Sequence, residues 1–94
     1  MEENEENEEK TAEDYYKEAN DQYEEGEFEK AILLYNEAIR RDPMHKYFYN
    51  RALSYACLER YEEAQEDIKK VIQLRPNFEE GWYILGLTKE YMQD

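Results

Sequence analysis

Cysteine is nearly absent from this chain: Cys57 is the only one among 94 residues, so no disulfide can form within it, which fits a reducing compartment. Histidine is equally scarce, with His45 alone, and the three glycines, Gly26, Gly81 and Gly86, stand too far apart to build a phosphate-cradling loop. The converging groups that catalysis requires are therefore missing, and no enzyme is expected. His45, just past Pro43, is expected as a surface turn residue, and Cys57 as a small, partly buried apolar one. No alternating Asp/Asn loop with a central glycine is present, which excludes an EF-hand. Neither a metal nor a cofactor is expected.

Basic residues are also few, 12 against 25 acids, for a formal charge of −13. Such a chain repels polyanions, so neither nucleic acid nor an anionic membrane surface is an expected partner. No apolar run reaches the roughly 18–20 residues that cross a bilayer. The acidic start Met1-Glu2-Glu3-Asn4-Glu5-Glu6 is the reverse of a signal peptide, and a cytoplasmic location, with the nucleus left open, is the expectation.

What the chain does hold is aromatic: ten Tyr, three Phe and one Trp, too many for a wholly disordered acidic chain. Residues 1–11 read as an acidic disordered tail, and Thr11 with Asp14 as a capping pair for a first helix. Beyond it, Phe28, Ala31, Ile32, Tyr35, Ala38 and Ile39 form one helical stripe, and Tyr61, Ala64, Ile68, Val71 and Ile72 another. Breaks at Gly26-Glu27, Asp42-Pro43, Glu59-Arg60 and Arg75-Pro76 divide the pattern into helices over about 12–25, 28–41, 45–58, 61–74 and 79–92.

A shift of 33 residues lays Tyr15 on Phe48, Ala19 on Ala52, Phe28 on Tyr61, Ala31 on Ala64 and Pro43 on Pro76; a further 34 takes Phe48 to Trp82 and Ala52 to Gly86. Similarity at a fixed period, with two helices per period, predicts an α-solenoid whose units bury their apolar faces only against neighbours. The small residues let backbones approach, and the large rings Tyr15, Phe48 and Trp82 are expected to fill the gaps between repeats.

With these columns in register, the chain resembles the tetratricopeptide repeat family. The resemblance implies an all-α, right-handed α-solenoid of two and a half helix-turn-helix repeats, over about 12–44, 45–78 and a half repeat 79–94 in a domain 12–94. It further implies a non-enzymatic interaction module whose first helices line a concave peptide groove. The implied groove residues are Glu13, Tyr16, Asn20, Tyr23 and Glu24 from the first helix. The third gives Tyr49, Asn50, Leu53 and Cys57, and the fifth Glu80, Tyr83, Ile84 and Leu87. Tyr16, Asn20 and Tyr23, spaced by four and three, share one helical face independently of the resemblance.

Some family members hold the C-terminal carboxylates of heat-shock chaperones with two asparagines and a set of cations. Asn20 and Asn50 match the asparagines, whereas the cationic positions fall on Tyr16, Glu80 and Ile84, with Lys17 one place away. Charge therefore favours a protein or peptide ligand with apolar anchors and basic flanks, and the chaperone tail stands as the alternative. A second alternative is a homo-oligomer or a fragmentary scaffold associating through the last helix, where Leu85, Tyr91 and Met92 are the expected contacts.

Overall fold

The structure, a computed structural model, describes residues 10–92. Five helices fill it: α1 Ala12–Glu24, α2 Phe28–Arg41, α3 His45–Cys57, α4 Tyr61–Leu74 and α5 Glu79–Met92. Each lies within a residue of its expected span, and no strand occurs among the described residues. The expected acidic tail falls outside the described residues except for Lys10 and Thr11, as do the last two positions of the expected half repeat.

Thr11 caps α1, and Lys10 packs beside it. Thr11 Oγ1 accepts the Asp14 N–H at 3.1 Å, while the Thr11 N–H donates to the Asp14 carboxylate at 3.0 Å, a reciprocal capping box. Lys10 Nζ lies 2.7 Å from Glu18 Oε2 and 5.4 Å from the Tyr15 ring centre.

The two helical hairpins turn by the same device. Glu27 N–H bonds to the Gln22 carbonyl at 2.8 Å and Gly26 N–H to that of Tyr23 at 3.0 Å. One period later Arg60 N–H bonds to Tyr55 at 2.9 Å and Glu59 N–H to Ala56 at 2.9 Å. Both are Schellman closures, which need a left-handed residue. Gly26 supplies it at φ 82°, but Glu59 adopts φ 62° with a full side chain. A β-carbon there costs about 1–2 kcal/mol, and glycine returns about 0.4–1 through the unfolded chain, so Glu59→Gly is expected to add about 0.5–1 kcal/mol. Urea unfolding of the two chains measures this, and a loss of stability would contradict the turn geometry.

Packing is sequential. Each helix lies against its neighbours in the chain, and α1 also touches α3, which makes α1, α3 and α5 the inner layer of the array. Ala19, Ala31 and Tyr35 form one buried cluster, flanked by Tyr16, Tyr23 and Leu34. Ala52, Ala64 and Ile68 form a second, with Tyr49, Tyr55, Ile72, Ile84 and Leu85 packed on it. The alanines at both crossings are fully buried, as close backbone approach requires. Of the three expected ring fillers, Phe48 is buried and Tyr15 half-buried, but Trp82 is 52% exposed, because no described helix follows α5 to cover it. Its indole N–H donates instead to the Pro76 carbonyl at 2.7 Å.

Candidate peptide-binding groove

Because the repeats are in register, the inner helices present their residues in tiers. The first tier holds Glu13, Lys46 and Glu80; the second Tyr16, Tyr49 and Tyr83; the third Lys17, Asn50 and Ile84; the fourth Asn20, Leu53 and Leu87. Charge of alternating sign thus crosses the groove at the helix starts, a row of tyrosines lies one turn deeper, and apolar residues follow.

The first two tiers are joined around Tyr16. Its ring stands 4.9 Å from that of Tyr47 and 6.1 Å from that of Tyr35, and its hydroxyl accepts a 2.8 Å bond from Asn50 Nδ2. Lys46 Nζ lies 5.0 Å over the same ring and 3.4 Å from Glu13 Oε1, to which the Tyr47 hydroxyl also points at 3.5 Å. One turn along α1, Asn20 Oδ1 accepts the hydroxyl of Tyr35 at 2.5 Å. Burial pushes the Tyr35 phenol far above its usual range, so it remains a donor throughout ordinary pH.

Further along the groove the surface becomes apolar. Tyr23, Leu53, Cys57, Leu87 and Tyr91 line an open cavity of about 440 Å³ between the end of α1 and helices α3 to α5. Burial raises the Tyr23 hydroxyl, with the neighbouring Cys57 thiol adding to the effect. Tyr49 is raised by burial and then by Glu80, and its ring meets Phe78 edge-on at 5.3 Å.

Several expected placements need correction. Cys57, expected partly buried, is exposed, because it ends α3 where the chain turns away. His45 opens α3 and packs edge-on against Phe78 at 5.0 Å; burial lowers its pKa, with Arg75 and Lys46 adding to the shift. Leu85, expected as a self-association contact, is turned inward onto the second core cluster, and Ile84 is shared between groove and core. Tyr91 and Met92 are exposed at 57% and 41%, and the Tyr91 ring stacks on that of Tyr61 at 5.1 Å. Tyr83 is open to solvent, as are Glu24 and Glu80 at the edges.

Sequence reasoning missed Lys46, Tyr35 and Tyr47. The period held the signal for Lys46, since the shift that carries Glu13 forward lands on it and then on Glu80. Tyr35 was read only as core, because pairing of its hydroxyl with a residue 15 positions earlier depends on the crossing of two helices. Among the described residues no group of three or more His, Cys, Asp or Glu could hold a metal ion, and no helix is long and apolar enough to cross a membrane. The arrangement offers hydrogen-bond donors and aromatic faces, a chemistry of recognition.

Comparison with known proteins agrees with this geometry. The tetratricopeptide repeat profile matches residues 12–45 and again 45–78. Human tetratricopeptide repeat protein 28 is 34% identical over 71% of this chain and 3% of its own. The Hsp70-Hsp90 organizing protein of Triticum aestivum is 34% identical over 90% of this chain and 15% of its own. This chain thus spans only a small part of those relatives. The second tetratricopeptide domain of Spaghetti, solved with the HSP90 peptide SRMEEVD, superposes with a TM-score of 0.86 at 26% identity, over 89% of this chain and 79% of that one. Two profile matches in the register of the helical hairpins, and a solved domain of the same architecture, establish that the chain belongs to the tetratricopeptide repeat family.

Proposed function

We propose that this domain binds the acidic C-terminal tail of an Hsp70- or Hsp90-type chaperone in the groove of α1, α3 and α5. The observation that carries the reading is the match to a domain holding SRMEEVD, together with Asn20 on α1, bonded to Tyr35, and Asn50 on α3, bonded to Tyr16. The relatives include the organizing protein of wheat and the yeast heat shock protein STI1, 28% identical over 81% of this chain. These similarities favour the tail over a ligand chosen by charge alone.

The acidic edge does not oppose this ligand, because SRMEEVD is not acidic throughout. Its glutamates and terminal aspartate suit the donors around Tyr16, while its methionine suits the apolar cavity. Its arginine suits Glu80 and the exposed Tyr83 ring beside it, the basic flank that the charge of the groove calls for. Calorimetric titration with SRMEEVD and with a scrambled peptide of equal composition tests the reading. Saturable binding in the micromolar range by the first alone is expected; binding of both alike, or of neither, would contradict it.

Self-association through the exposed residues of α5 is a second reading, supported by the exposure of Trp82, Tyr91 and Met92. The formal charge of −13 opposes it, so sedimentation is expected to show association growing with salt. A mass that stays monomeric at all salt concentrations would remove it.

A further inference from the structure

We infer that two copies of this chain pair through the outward face of α5, antiparallel about a two-fold axis, with Trp82 of each lying over Gly86 of the other and Glu79 of each meeting Lys89 of the other. The inference rests on the self-association reading and specifies the face and the arrangement.

Gly86 is where it starts. It stands in the middle of α5, where glycine weakens a helix relative to alanine, and a β-carbon placed on it would meet nothing within 4 Å. Packing inside the chain therefore gives no reason for bare backbone there. One and two periods earlier the same column holds Ala52 and Ala19, both fully buried in the clusters where Ala64 of α4 and Ala31 of α2 come close. In the first two repeats this column receives a second helix, and Gly86 offers the same close approach to a helix from outside.

At about 100° per residue, Glu79, Trp82, Tyr83, Gly86, Lys89 and Glu90 share the side of α5 opposite the buried Gly81 and Thr88, and all six are exposed. Trp82 and Tyr83 supply the apolar area, at 52% and 67% exposure. Tyr91 and Met92 fall on the flanks instead. The Tyr91 ring lies on Tyr61 of its own chain, and Met92 lines a cavity with Glu62 and Glu63 of α4.

The occupant follows from how this face reads when turned end for end. A half-turn about an axis at the level of Ile84 exchanges Trp82 with Gly86 and, in the same movement, Glu79 with Lys89. A second α5 laid antiparallel on the first thus sets each indole over bare backbone and each of these acids against a lysine. One rotation meets the steric and the charge requirement together, so the face is complementary to itself, as a two-fold contact demands.

The test compares the full chain with Glu79→Lys and Lys89→Glu by sedimentation equilibrium at one moderate salt concentration. In the two-fold pair either variant alone opposes like charges at two places, and each is expected to weaken association about tenfold. The two substitutions shift net charge in opposite directions, so weakening by both reports the local contact rather than overall repulsion. Mixed in equal amounts, the variants regain both ion pairs in a heterodimer with the total charge of the unaltered dimer, and association within about threefold of the unaltered chain is expected. Gly86→Leu fills open space in the single chain, so its melting temperature at low concentration is expected to hold or rise while association is lost. Trp82 is the only tryptophan, and its emission is expected to move to the blue as the concentration of the unaltered chain rises, but not in Gly86→Leu. Tyr91→Ser, on the flank, is expected to leave association within about twofold.

If the unaltered chain associates but the mixture associates no better than either variant alone, or Gly86→Leu associates as well as the unaltered chain, the antiparallel pair is overturned and self-association by another route stands. If the unaltered chain is monomeric at every salt concentration, both fall and the face is left to a different protein.

Discussion

Replacing Asp67 by Leu is expected to destabilise the domain by about 3–5 kcal/mol, the range for removing one partner of a buried pair. The Arg51 guanidinium grips the Asp67 carboxylate with two bonds, Nε at 2.8 Å and Nη2 at 2.7 Å, and its Nη1 donates to Asn36 Oδ1 at 2.6 Å. One side chain on α3 thereby ties α4 to α2 across the boundary between repeats. Side-chain exposure is 20% for Arg51 and 6% for Asp67, so loss of the carboxylate strands a cation in the interior. The pair is not itself a large source of net stability. Burial pushes the Asp67 carboxyl above its usual range, and Arg51 pulls it only part of the way back.

The double variant Arg51→Met with Asp67→Leu is accordingly expected to recover most of the loss, since neither charge is then buried alone. The pH dependence has a definite sign. A carboxyl raised on folding favours the folded state at low pH and loses that contribution as pH rises through its folded value, so acid does not unfold the domain through Asp67. Half-buried Glu37, lowered by Arg40 and Arg41, and exposed Glu63, lowered by Arg60, act the other way and lose their contribution as pH falls. Denaturant unfolding of the single and double variants near neutral pH measures the coupling; a double variant no better than Asp67→Leu would show that the bonds, not the stranded charge, set the cost.

Ile68→Ala is the second large effect, at about 2–5 kcal/mol. Ile68 is fully buried between Ala52 and Ala64, and alanine methyls have no rotamers with which to fill the space vacated. The upper half of the range is therefore expected, a large share of the total stability of a domain this small. Tyr49 and Ile84 pack on the same cluster, so the middle of the groove should loosen with it and peptide affinity should fall alongside stability. Thermal and denaturant melts check the first consequence and peptide titration the second. A loss below about 1 kcal/mol would mean that the second cluster is not the core of the array.

The reason these two sites differ in how easily they could be foreseen is physical. Ile68 lies in a stripe with period near 3.6, and its burial follows from position within one helix, so the sequence alone marked it as core. The same holds for the alanine columns and for the hairpin turns, whose residues recur at one period. The Arg51–Asp67 pair was not legible, because the pairing spans 16 residues and depends on how α3 crosses α4. The groove followed the same division. Tyr16, Asn20, Tyr49 and Asn50 could be placed on one side from helical geometry and the resemblance. Which of their protons are already spent on Tyr16 and Tyr35 required side-chain positions. Trp82 and Leu85 were misplaced because exposure at the end of an array is decided by the neighbour that does or does not follow, and Cys57 because it closes α3 where the chain turns away.

The central claim, that the inner face of α1, α3 and α5 is the ligand surface, is tested most directly by following backbone amide resonances of the chain during titration with SRMEEVD. The largest shifts are expected at Tyr16, Asn20, Tyr49, Asn50 and Leu53, with Tyr83 moving as the arginine end of the peptide settles. Shifts confined to the outer helices around Leu33 and Asn36, or to Trp82 and Met92 at the exposed end, would contradict it.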